Sequence, residues 1–215
     1  MPKIKFCGIT RLPDAERAVQ FGAWAIGLIF WPRSPRRCTP EAAIEIGGAL
    51  KRRAEVAGVF VNATLDEIAA TSEEASLTMV QLHGDEGPSF CDEVRRRTGC
   101  QVIKAIRVRS GADIQALSAF HTDYHLLDSH RPGMPGGTGE TFSWELARSH
   151  RGSVPMILSG GLNPDNVADA IAAVRPFAVD VASGVELEPG RKDPDKLEAF
   201  AEAVRASAAA GAPLP

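Results

Sequence analysis

Lys3-Ile4-Lys5-Phe6-Cys7-Gly8-Ile9-Thr10 begins as a short β-strand and ends in a Cys-Gly step. Side chains alternate across a strand, so Ile4 and Phe6 share one face and Lys5 and Cys7 the other. The apolar pair suits packing beneath helices. The second pair, one cation and one thiol, suits the mouth of a pocket. Gly8 removes bulk beside the thiol and lets backbone or ligand approach. Cys7 is therefore read as a proton-abstracting group to which later strands bring partners. The plainer reading, a small buried thiol at a strand end, is common for cysteine.

Working outward from this strand, β-type runs and helical stretches alternate along the chain. Helices are expected over 13–21 and 40–53, from 64, from 88 to near 99, over 112–120, 142–149 and 164–174 and from 194, with strands over 23–30, 56–61, 78–83, 101–107, 124–128, 154–159 and 177–181 between them. Thr39-Pro40, Asn163-Pro164 and Asp193-Pro194 read as N-caps followed by a first-turn proline, and Thr64 to Glu67 has capping-box spacing. With the opening strand this makes eight strand–helix units, the number that closes a (β/α)8 barrel. The expected fold is α/β, a single TIM barrel with short loops over residues 1–206, followed by a flexible Ala-, Gly- and Pro-rich tail at 207–215. An open doubly wound sheet is the alternative.

Composition bounds the function. The 215 residues carry 24 basic and 27 acidic side chains, a net charge of −3, and are 44% hydrophobic. That balance gives no footprint for nucleic acid or an anionic membrane, and no apolar run spans a bilayer. Cys7, Cys38, Cys91 and Cys100 include no Cys-x-x-Cys pair. Free thiols in a cytoplasmic protein are expected, with no disulfide framework. No signal peptide is visible. A monomer is expected, with a homodimer left open.

Two glycine-rich turns follow the last strands: Ser159-Gly160-Gly161 before a helix start, and Ala182-Ser183-Gly184-Val185. Small residues bare the backbone N–H groups, and in barrels of this kind the loops after strands seven and eight commonly bind phosphate. Gly160, Gly161, Ser183 and Gly184 are the expected cradle, with Gly137 and Gly139 of Gly136-Gly137-Thr138-Gly139 as a cover. His83, Asp128 and Asp180 lie at strand ends, where barrel enzymes keep their chemistry. On strand eight, Phe177, Val179 and Val181 share the helix-facing side and leave Asp180 inward. Lys5, inward below Cys7, is a candidate ion-pair partner for Asp180.

Lys5-Phe6-Cys7-Gly8-Ile9-Thr10, Ser34-Pro35-Arg36, Val80-Gln81-Leu82-His83-Gly84, Leu126-Leu127-Asp128-Ser129, Gly136-Gly137-Thr138-Gly139, Ser159-Gly160-Gly161-Leu162 and Val181-Ala182-Ser183-Gly184-Val185-Glu186 together resemble the phosphoribosylanthranilate isomerases of tryptophan biosynthesis. The resemblance runs from Lys3 to Arg205. Ala182 departs from a Ser also common there, which leaves the backbone donors intact.

The resemblance implies an Amadori rearrangement of N-(5-phosphoribosyl)anthranilate, a small phosphosugar substrate. Asp128 would protonate the ring oxygen as general acid. Cys7 would remove the C2′ proton as general base. Arg36 would grip the anthranilate carboxylate. His83 and Asp180 would contact substrate or orient a neighbour. No cofactor and no metal are required, because the iminium nitrogen is the electron sink. Asp128 must then keep its proton to higher pH than a free carboxyl group, and Cys7 must lose its own more readily. A related histidine-pathway sugar isomerase, a phosphosugar-binding module without turnover, and a Cys7–His83–Asp128 metal site are the alternatives. The first would place an Asp at position 7, the second leaves Cys7, Arg36 and Asp128 unexplained, and the third lacks a short-range ligand pair.

Overall fold

β1 (Lys3–Cys7) divides its side chains as the alternation dictates. Phe6 turns outward and meets Phe200 edge-on, with ring centroids 5.9 Å apart. Burial of such a ring is worth about 2–3 kcal/mol. Lys5 turns into the interior and meets Asp180. The computed structural model describes residues 1–128, 142–150 and 152–210.

The chain continues through α1 (Leu12–Gln20), β2 (Ala25–Ile29), α2 (Pro40–Leu50), β3 (Glu55–Phe60), α3 (Leu65–Glu74), β4 (Met79–Leu82), α4 (Pro88–Thr98) and β5 (Gln101–Arg107). Then come α5 (Gly111–Ala116), β6 (Tyr124–Asp128), α6 (Phe142–Ala147), β7 (Met156–Ser159), α7 (Val167–Val174) and β8 (Ala178–Val181). β1 to β8 pair in parallel and in order, and β8 returns to β1 to close the expected barrel. Lys5 sits in register with Asp180 and with Ala25, Cys7 with Gly27, and Asp128 with Ser159. No described helix is long and apolar enough to cross a membrane.

The interior is graded along the barrel axis. Ala25, Ala57, Met79, Ile103, Ala105, Leu126, Ile157 and Ala178 form a buried apolar layer. Below it Trp24, Tyr124 and Phe177 seal the N-terminal mouth, with centroids 5.3 to 5.5 Å apart. Phe177 thus belongs to this plug and not to the helix-facing side. β8 starts one residue later, at Ala178, so strand parity does not bind Phe177. Above the apolar layer the inward positions become polar, with Lys5, Gln81 and Asp180 all buried. One end of the cylinder is closed with hydrocarbon, and the other is left for chemistry.

Other departures from the sequence reading are local. The helix expected from 164 starts at Val167, because the Asn163 side chain accepts from Asp165 N at 2.9 Å and Asn166 N at 3.1 Å and closes a turn instead. α5 gives way to a 3₁₀ turn at Leu117–Ala119, where Ser118 Oγ donates to Gln115 O at 2.7 Å. A hairpin that the pattern did not signal, β9 (Glu186–Glu188) with β10 (Arg191–Lys192), follows β8 and leads into α8 (Pro194–Ala210). α8 continues past residue 206, and residues 211–215 lie outside the described residues.

Candidate active site

Cys7 closes β1 with its side chain inward and is 6% exposed. A Cβ on Gly27 of the neighbouring strand would lie 2.6 Å from Cys7 Sγ and 3.1 Å from Lys5 Nζ. Glycine is what leaves room for the thiol there. Burial pushes the Cys7 thiol above its ordinary range; Lys5 and Lys192 pull it back down, and Asp180 adds to the rise. The expectation that this thiol ionises readily is therefore corrected: removing the thiolate from water outweighs the nearby cations.

Lys5 is fully buried and donates to Asp180 Oδ1 at 2.7 Å. Asp180 Oδ2 accepts from Ser159 Oγ at 2.9 Å. Burial works against the Lys5 charge, yet Asp180 and Cys7 hold its pKa above the ordinary lysine value. The ion pair anticipated between strands one and eight is thus present, and each Asp180 oxygen already accepts a bond from the protein.

Arg36, in the loop after β2, is forked against Glu186. Nε donates to Oε1 and Oε2 at 3.0 Å each, and Nη2 to Oε2 at 2.8 Å. Lys192 Nζ donates to Glu186 Oε1 at 2.9 Å, Cys7 O at 2.6 Å and Ala182 O at 2.9 Å. Burial raises the Glu186 carboxyl, but Arg36 and Lys192 more than offset it and hold the group below its ordinary range. Burial lowers Lys192, and Glu186 only partly restores it. One buried ammonium therefore ties the end of β1, the loop after β8 and the Arg36 carboxylate partner together.

Across the rim, His83 Nε2 is 3.5 Å from Asp128 Oδ2, and His83 Nδ1 is 3.2 Å from Gln81 Nε2. The imidazole thus bridges the Gln81 amide and the Asp128 carboxylate. Gln81 is buried, and its Oε1 has no partner among the described residues.

Gly160 and Gly161 turn with φ of 98° and 67° at the end of β7. Asn166 Nδ2 braces that turn through Gly161 O at 3.0 Å. Ser183 and Gly184 start a 3₁₀ turn, Ser183–Val185. A Cβ on Gly184 would stand 2.0 Å from Leu162 O, so the two glycine turns interlock backbone to backbone. Gly137 and Gly139 lie outside the described residues.

The structure brings Cys7, Arg36 and Asp180 into one network and sets His83 beside Asp128, with the two glycine turns in the adjacent β7 and β8 loops. Sequence reasoning gave no role to Glu186, Lys192, Gly27 or Ser159. Glu186 and Lys192 ride on strands of three and two residues, too short for a period-2 signal. Gly27 sits in an apolar run, where a glycine marks close approach and could have been noticed.

A family model for N-(5′phosphoribosyl)anthranilate (PRA) isomerase matches residues 4–203. The N-(5′-phosphoribosyl)anthranilate isomerase of Citrifermentans bemidjiense is 50% identical over 197 residues, 92% of this chain and 94% of that protein. The crystal structure of phosphoribosyl anthranilate isomerase from Thermotoga maritima has a TM-score of 0.87 and 42% identity, covering 96% of this chain and 100% of that one. A phosphoribosyl anthranilate isomerase in complex with reduced 1-(o-carboxyphenylamino)-1-deoxyribulose 5-phosphate has a TM-score of 0.81 and 38% identity, with coverage of 96% and 100%.

Proposed function

This chain belongs to the N-(5′-phosphoribosyl)anthranilate isomerase family and converts N-(5′-phosphoribosyl)anthranilate to 1-(2-carboxyphenylamino)-1-deoxyribulose 5-phosphate in tryptophan biosynthesis, and from that premise we propose that Cys7 is the general base and Asp128 the general acid. The carrying observation is that both groups stand at C-terminal strand ends of one closed barrel, Cys7 inward on β1 and Asp128 at the end of β6 beside His83.

Asp128 protonates the furanose ring oxygen, and the ring opens to an iminium. Cys7 thiolate removes the C2′ proton, the electrons flow to the iminium nitrogen, and the enolamine tautomerises to the ketone. This is an aldose–ketose isomerisation by acid–base chemistry alone. The cationic iminium favours the thiolate at the moment it is needed. His83 orients Asp128 and contacts substrate. Asp180, which accepts from Lys5 and Ser159, orients the base and keeps acceptor capacity for a ribose hydroxyl. A guanidinium has two bidentate edges; Glu186 takes the Nε–Nη2 edge, and the Nη1–Nη2 edge serves the anthranilate carboxylate. Gly160, Gly161, Ser183 and Gly184 hold the phosphate. Residues 1–206 act as one catalytic domain with a C-terminal extension, and the protein is a cytoplasmic monomer in this reading. Sedimentation of the purified protein tests the last point.

Cys7→Ala and Asp128→Asn test the assignment by the loss of anthranilate fluorescence with fresh substrate. Each should lower kcat by about 100-fold or more, the usual contribution of a positioned acid or base. Near-normal kcat in either variant removes that residue from its role.

A further inference from the structure

Cys7 needs a charged partner if it is to serve as base from a buried position, and the structure supplies one below it. Lys5 lies two residues earlier on the same inward face of β1. Its Nζ and the Cys7 Sγ crowd the same point, where a Gly27 side chain would begin. The ammonium has no exposure, and Asp180, itself fixed by Ser159, holds it at 2.7 Å. A fully buried ion pair is a poor device for stability alone, because apolar residues of similar size often serve as well.

The charges around the sulfur point the same way. Lys5 comes from β1, Asp180 from β8, Glu186 and Lys192 from the hairpin, and Arg36 from the loop after β2. Gly27 and Ser159, from β2 and β7, bring no charge. Farther round the rim stand His83 just after β4, Arg107 at the end of β5 and Asp128 at the end of β6. The three cations Lys5, Arg36 and Lys192 face two carboxylates that are already paired, Asp180 and Glu186. The surplus positive charge lies where Arg36 and Lys192 share Glu186, and of the three cations Lys5 and Lys192 are the ones that act on the thiol.

We propose that Lys5 is a positioning residue of the isomerase, a permanently charged ammonium, aimed by Asp180, that offsets part of the cost of forming the buried Cys7 thiolate when the C2′ proton is removed. The role rests on Cys7 being the base. Lys5 does not exchange a proton itself. Its high affinity for its own proton suits a fixed charge and not a relay.

The test follows thiolate ultraviolet absorbance against pH, with Cys7→Ala subtracted to isolate this sulfur, alongside the pH profile of kcat/KM. Lys5→Met should move the Cys7 titration up by about one pH unit or more, the usual effect of losing a close opposite charge. The limb of the kcat/KM profile that reports Cys7 should move with it while KM stays near wild type. Asp180→Asn frees Lys5 from its carboxylate and removes an anion, so it should shift the titration down. Lys5→Arg should restore the wild-type position. If Lys5→Met does not fold, the uncharged pair Lys5→Met/Asp180→Asn replaces it, with the same upward direction expected. A pair that serves structure alone lowers stability in every variant and moves no titration. An unmoved titration in a folded Lys5 variant, or an unmoved or upward one in Asp180→Asn, overturns the proposal. Wild-type kcat in Cys7→Ala removes the base assignment instead, and the sulfur's titration still reports whether Lys5 controls it.

Discussion

Arg36 and Glu186 are 150 residues apart in sequence, and a two-pronged contact of 3.0 and 2.8 Å joins the loop after the second strand to the hairpin after the eighth. The same carboxylate takes Lys192, whose ammonium also holds the Cys7 carbonyl. The aim of the guanidinium and the height of the catalytic strand end are thereby set by one acidic side chain.

Glu186→Gln should therefore raise KM by about tenfold or more with a smaller effect on kcat, since it releases the guanidinium without touching the reacting atoms. It should also destabilise the protein by about 3 kcal/mol, because Lys192 keeps its burial and loses its partner. Steady-state kinetics and urea midpoints read the two effects. The Glu186 carboxyl is held below its ordinary range, so its stabilisation is complete at neutral pH and disappears on acidification past that depressed value. An unchanged KM would release Arg36 from dependence on this carboxylate.

Arg36→Lys keeps the charge and loses the planar fork. It should raise KM nearly as far as Arg36→Ala does, because a point charge cannot meet Glu186 and a substrate carboxylate along two edges at once. Recovery of wild-type KM by lysine would reduce the role to simple charge.

Gly27→Ala puts a methyl group where the sulfur is, 2.6 Å away, with Lys5 Nζ at 3.1 Å. Strand pairing is undisturbed, so the fold should survive at a cost of about 1–3 kcal/mol. The thiol must turn aside, and a misplaced base loses about 100-fold in kcat. Circular dichroism and kcat, measured together, separate the two.

Gly184→Ala drives a methyl group to 2.0 Å from Leu162 O, a backbone atom that cannot rotate away. The loops after β7 and β8 must part. Inhibition by inorganic phosphate should weaken by about tenfold or more, in line with the loss of one or two charge-assisted hydrogen bonds. Unchanged phosphate inhibition in a folded variant would remove this pair of turns from the phosphate site.

His125, outward on β6, shares a 3.0 Å contact with His150 Nε2 and one of 3.1 Å with Phe120 O. Burial pushes its pKa down from 6.5 to about 4, and His150 adds to the fall. Between those values the unfolded chain binds the proton and the folded one does not. Stability is therefore full above about pH 6.5 and is lost as pH falls through 4, by up to about 3 kcal/mol. His125→Gln should flatten the urea midpoint over that window. A midpoint that falls equally in the variant would place the acid sensitivity elsewhere.

The sequence by itself determined the closed barrel, since the order of strands and helices and their periodicity depend on neighbours a few residues apart. It also determined the inward face of β1 and the pairing of Lys5 with Asp180, because side-chain parity carries over from strand to strand once eight of them close. The glycine turns after β7 and β8 were legible for the same local reason.

Tertiary structure alone decided what surrounds the sulfur. Gly27 is an ordinary strand residue until β1 lies beside it, and Lys192 is a surface-type cation until the hairpin folds it against the carbonyls of Cys7 and Ala182. Burial likewise reversed the expected direction of the thiol's ionisation, because desolvation depends on everything packed around a group and no short stretch of sequence encodes that sum.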